Sequence, residues 1–164
     1  MAFSHYHRFT KAQIKIANKS DSLPPVRFVQ REPLQRLSAE IHKQLSLDNL
    51  EFVERSSQQL VDAICLQLDF SSARIHVLER RPHDEQSELH GLYEPVDKAR
   101  PRARIYVWMR TAKRQQVVAF KTYLRTLIHE LCHHLDYEYY RLEDSLHTQG
   151  FFRRESNIIK QLIE

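Results

Sequence analysis

Apolar positions first recur at helical spacing. Leu34, Leu37, Ile41 and Leu45 lie three and four residues apart, behind a Glu32-Pro33 step suited to a first helical turn. Leu50, Val53, Leu60, Val61, Ile64 and Leu68 predict a second helix, with Asp48 as its cap and Glu51 three residues on in a capping-box arrangement. After Ser71-Ser72 the period changes. Ile75 and Val77 alternate with His76 and Leu78, which predicts a strand over 73–80. A second strand is expected over 104–110, with Ile105, Val107 and Met109 on one face and Tyr106 and Trp108 on the other. Between them, 81–101 holds three prolines, Gly91 and mixed charge, the composition of an irregular connection. A long helix is predicted over about 117–139 and a last one from about 151 to the C-terminus. The first 25 residues end in Leu23-Pro24-Pro25 and include Arg8, Lys11, Lys15 and Lys19, which predicts a basic arm and stiff linker (1–25) ahead of one α+β domain (26–164). That domain has a helical part at about 32–70 and a mixed part at about 73–164.

Composition narrows the chemistry. A chain of 164 residues, 41% hydrophobic and 28% charged, suits one domain with its own core. With only two glycines and two cysteines it has no glycine-rich phosphate loop, no Cys-based zinc ribbon and no disulfide scaffold. The lone Cys65 and Cys132 fit a reducing compartment, and no apolar run approaches the ~20 residues of a membrane span, so a cytoplasmic protein is expected. A net charge of +4 is too mild to indicate nucleic acid by itself.

The predicted long helix carries His129-Glu130-Leu131-Cys132-His133, an HExxH motif. Imidazoles four residues apart project from one helix face and can grip one zinc ion, while the intervening glutamate can take a proton from a zinc-activated water. With 10 histidines in the chain, chance alone supplies about 0.05 such matches, so context decides. Val117, Phe120, Leu124, Leu127, Leu131 and Leu135 form one stripe. His129, His133 and Asp136 fall nearly opposite, so one face is built for burial and the other for a cleft. Cys132 lies off the ligand face and reads as a small core residue.

Catalytic zinc takes three protein ligands as a rule. Asp136, Glu143, Asp144, His147 and Glu155 are the candidates for the third. His147 is favoured because 13 residues separate it from His133, enough for the helix to finish and the chain to return, and nearby Gly150 frees the backbone. Glu155 on the last helix is the runner-up. Asp136 is better suited to orienting a ligand imidazole through its other nitrogen.

These residues resemble a zincin metallopeptidase of the SprT-like and Wss1-like (WLM) group, in which an HExxH helix is followed by a loop, a third histidine and an aromatic four residues later. Here that reads His129-Glu130-x-x-His133, His147 and Phe151, preceded by Gly91-Leu92-Tyr93 and a strand with Ile105 and Val107. The resemblance covers roughly 73–164. It implies a zincin-like fold, with a short sheet beside the HExxH helix, a Zn2+ cofactor held by His129, His133 and His147, Glu130 as general base, a polypeptide substrate, and that strand as the edge along which the substrate lies. Two departures stand out: Thr148 replaces the glycine that often follows the third histidine, and no Cys-rich ribbon follows. A non-catalytic zinc-binding domain acting in protein or nucleic-acid binding is the alternative.

From Lys98 to Ile128 there are nine basic residues (including Arg100, Arg102, Arg104, Arg110, Lys113, Lys121 and Arg125) and no acid. The stretch reads either as a solvated edge or as a rim attracting acidic peptides or a nucleic-acid backbone. Tyr93, Tyr106, Trp108, Tyr139 and Tyr140 are candidates for steadying an oxyanion.

Overall fold

The computed structural model describes residues 4–80, 91–111 and 114–164. Residues 1–3 of the expected arm, 81–90 of the expected connection and Lys113 of the basic stretch lie outside the described residues. The architecture is α+β, with five α-helices around a three-stranded mixed sheet among the described residues.

Helices α2 (Arg31–Ser46) and α3 (Leu50–Gln67) form as their apolar spacing requires, burying Leu34, Ile41 and Leu45 against Val53, Leu60, Val61 and Ile64. The turn between them differs from expectation. Asp48 has φ 53°, and the bonds Asp48 N–H to Leu45 O and Asn49 N–H to Gln44 O close α2. An aspartate tolerates that left-handed conformation. Asn49 therefore caps α3, accepting from the Phe52 N–H, and the Asp48 carboxylate turns instead to Arg110.

Strands β1 (Arg74–Arg80), β2 (Gly91–Glu94) and β3 (Arg104–Arg110) lie in the order β1-β3-β2, with β1 parallel and β2 antiparallel to β3. The register pairs Ile75 with Ile105 and Val77 with Val107, and all four side chains are buried. Strand β2 falls within the stretch expected to be irregular; four residues are too few for a periodic signal. It takes the outer place beside β3, so β3 is the central strand and not the edge that the resemblance implied.

The two edges of the sheet are finished differently. On α3, Gln58 accepts from Ile75 N–H and donates to Ala73 O, and Glu54 accepts from Val77 N–H, so helix side chains occupy the outer edge of β1. No described residue hydrogen-bonds to the outer edge of β2.

Val117 and Val118 extend the end of β3 through an Arg110–Val117 bridge and a Val118 N–H bond to Met109 O, so α4 begins later than expected and spans Phe120–His134. Its last turn loosens into a π-helical turn, Leu135–Tyr139, closed by Tyr140 N–H to Leu135 O. Helix α5 (Gln149–Ile163) returns along α4, capped by Thr148.

The expected arm is a correction. Residues Ser4–Arg8 form a 3-10 turn and Lys11–Ser22 form α1, started by a Thr10/Gln13 capping box. Few apolar residues mark this helix, and it is held mainly by polar contacts with α5. Among the described residues, no helix is long and apolar enough to cross a membrane.

Candidate metal centre

Helix α4 presents two imidazoles one turn apart, as its hydrogen-bonded geometry dictates. The loop after the π turn returns His147 to the same point. The His147 Nε2 lies 3.0 Å from His129 Nε2 and 3.1 Å from His133 Nε2. One ligand atom from each histidine falls within 4.8 Å of the other two, so the three could hold a metal ion. Asp136, Glu143, Asp144 and Glu155 do not join this group. Phe151, fully buried, floors the cluster, its ring centroid 4.8–5.3 Å from all three imidazoles.

Hydrogen-bond accounting shows that the donor set suits a cation. His129 Nδ1 faces Glu155 Oε1 at 3.3 Å, and an ionised carboxylate only accepts, so this nitrogen carries the proton. His133 Nδ1 faces Ser145 Oγ at 2.7 Å, whose own hydroxyl donates to Asp136 Oδ2 at 2.7 Å, so His133 Nδ1 also donates. Both Nε2 atoms are then lone pairs aimed at His147 Nε2. A single N–H there can satisfy one of them; a metal ion satisfies all three. Thus Asp136 acts on His133 through Ser145, and Glu155, the runner-up ligand, stands behind His129.

Electrostatics follow burial. Glu130 is buried, which raises its carboxyl pKa to about 7, with the His129 charge pulling the other way. His133 is pushed down to about 3 by burial and by the neighbouring His129 and His147 charges. His147 is lowered by burial and by the His129 charge, against the pull of Glu155. For His129, burial is outweighed by its bond to Glu155 and the charges of Glu130 and Glu155, and its pKa rises. Asp136 is raised to about 6 by burial, against the pull of Ser145 and Arg154.

Both of the chain's glycines are needed here. A Cβ at Gly91 would lie 2.8 Å from Glu130 Oε1 and 2.8 Å from Thr126 Cγ2, so β2 passes directly over the glutamate. A Cβ at Gly150 would lie 2.6 Å from Ser20 O and 2.8 Å from Asp21 Cα, so α1 and the start of α5 meet backbone to backbone.

That second contact ties α1 to the histidine cluster. Asp21 accepts from Gly150 N–H at 2.7 Å and from Tyr6 O–H at 2.9 Å, and Tyr6 Oη accepts from Gln149 N–H at 2.8 Å, filling the open N-terminus of α5. Thr148, where the resemblance leads one to expect glycine, caps α5 and meets Ser20 Oγ at 2.8 Å. His5 Nε2 reaches the His147 carbonyl at 3.0 Å. Buried Arg154 donates to Ser20 and to Asp136, which leads through Ser145 to His133.

A cavity of about 890 Å³ opens over the histidines, bordered by β2 and by α4. Of the aromatic candidates only Tyr93 lines it, and its hydroxyl is committed: His134 Nε2 donates to Ser71 O, so His134 Nδ1 accepts from Tyr93 O–H at 2.8 Å. This bond pins β2 to α4. Tyr106 stacks on His76, Trp108 is buried, Tyr139 packs on Phe70, and the Tyr140 hydroxyl bonds Pro24 O. Sequence reasoning missed His134 and Tyr137. Tyr137 lines the cavity and donates to Asp144, and its place four residues after His133 was the signal available. Cys132 is buried in the core, as expected.

No family model, curated protein or solved structure matches the chain.

Proposed function

We propose that the protein is a zinc-dependent metallopeptidase with a zincin-like fold, in which His129, His133 and His147 hold Zn2+ and Glu130 is the general base. The observation that carries this reading is the position of Glu130: a buried carboxylate beside three convergent imidazoles, directly under a strand whose outer edge is bonded by no described residue. Three neutral imidazoles form a donor set zinc favours, and a three-ligand centre leaves a position for reaction. Zinc, when bound, would supply Lewis acidity to a carbonyl and acidify a water.

The chain's own residues divide the remaining work. An extended peptide pairs with the outer edge of β2, main chain to main chain. Gly91 lets that strand lie close to Glu130. A carboxyl group held near neutrality by burial can accept a proton from an entering water and return it to the departing amine. Glu155 and the Ser145–Asp136 pair hold the ligand imidazoles with their Nε2 atoms facing inward.

The test is Glu130→Gln, which keeps shape and removes the base. Zinc content and fold persist, while hydrolysis of an unfolded protein substrate falls by at least about 100-fold, the scale of a lost general base. Undiminished hydrolysis by this variant would remove Glu130 from the mechanism. A four-ligand zinc with no bound water, read by X-ray absorption, would move the protein to the non-catalytic alternative.

A further inference from the structure

Lys121, Arg125, His129 and His133 occupy successive positions of one four-residue row on α4. The row runs along the cavity, so the two cations lead directly to two of the convergent histidines. Both side chains are exposed, and among the described residues no carboxylate pairs with either. Three other cations of the basic stretch are engaged: Arg100 by Glu94 and Asp97, Arg102 by Asp62, Arg110 by Asp48 and Glu79. A cation pair without a carboxylate inside a cleft, beside a strand edge that no described residue bonds, has the chemistry of a subsite for carboxylates.

On this ground, and resting on the peptidase reading of the same site, we propose that Lys121 and Arg125 select acidic side chains in the polypeptide substrate. Helix geometry sets Arg125 about 6 Å and Lys121 about 12 Å from His129 along the α4 axis. An extended peptide advances about 3.3 Å per residue. Carboxylates are therefore read about two and about four residues from the cleaved bond, both on the same side of it. Duplex nucleic acid suits the arrangement less well, because Lys121 and Arg125 line a cleft beside β2 and not a convex face.

Two measurements test this with the zinc-loaded full chain. Peptides from a proteome digest are cleaved with an excess of Asp and Glu at those positions, and Lys121→Glu/Arg125→Glu abolishes that excess while peptides lacking acids are still cut. Separately, the Glu130→Gln protein binds an acidic octapeptide about three- to tenfold more tightly than its Asn/Gln counterpart at low salt, and Lys121→Ala/Arg125→Ala removes the difference. Cleavage with no acidic preference would overturn the subsite and leave the peptidase standing. Acidic selectivity in binding without any cleavage would keep the subsite and overturn the peptidase. Steeply salt-dependent binding of duplex DNA, lost in the double alanine variant, would overturn the peptide assignment in favour of nucleic acid.

Discussion

His129 and His133 reach the histidine cluster on the backbone of one helix, whereas His147 reaches it on a loop held from outside. The α4 pair needs only the hydrogen bonds of the helix and the buried stripe behind it, with Leu124, Leu127, Leu131 and Leu135 in the core. The His147 segment makes few such bonds within itself. It is fixed by partners far away in the chain, His5, Tyr6, Ser20 and Asp21, and Arg154 in turn holds Ser20. The contrast teaches that the centre is half local and half tertiary, and that residues 4–22 belong to the site even though none of them is a ligand.

The largest effects should come from the local half. On the zinc reading, His129→Ala and His133→Ala each remove one of the two imidazoles that α4 presents, and each should abolish tight zinc binding by competition titration. His147→Ala should weaken it by orders of magnitude, because the outcome is a two-ligand site. If instead Glu155→Ala cost as much as His147→Ala, Glu155 would have to be a ligand and the comparison would collapse.

The next largest effect separates stability from coordination. Arg154 and Asp136 form a buried pair 3.3 Å apart, with Ser20 and Ser145 completing their bonds. Arg154→Met leaves Asp136 buried without its cation, a change that costs about 3–5 kcal/mol. It should appear as a lowered unfolding midpoint whether or not zinc is present.

Smaller, and more telling, are changes to the outer support. Asp21→Ala opens the N-terminus of α5 beside His147, and Ser145→Ala breaks the relay from Asp136 to His133. Each should weaken zinc affinity by about 10–100-fold, the range for groups that orient metal-bound histidines. The visible spectrum of the cobalt-substituted protein, which reports coordination geometry, should shift in both. Unchanged affinity and spectrum in Asp21→Ala would mean that α1 supports only the fold.

Much of the fold was readable because long elements repeat their pattern. Helices α2 and α3 and strands β1 and β3 lie close to their expected bounds, each marked by several periodic apolar residues. Element ends were less readable. Asp48 looks like a helix cap, yet it adopts a left-handed turn because α2 needs closing there. Val117 fits the helical stripe, yet with Val118 it extends β3. Strand β2 is too short to announce itself, and its place at the sheet edge depends on β3 and on the Tyr93–His134 bond.

The sequence by itself determined that two imidazoles and one carboxylate share a helix face, since spacing along an α-helix is a fixed rotation and rise. It determined equally which apolar stripes would be buried. Only the tertiary structure decided that His147 completes the group while Glu155 and Asp136 stand behind it, that both glycines lie where two backbones approach, and that a basic N-terminal segment is a helix bracing the site. Those outcomes rest on contacts between residues far apart in the chain, and no local periodicity encodes a polar contact of that kind.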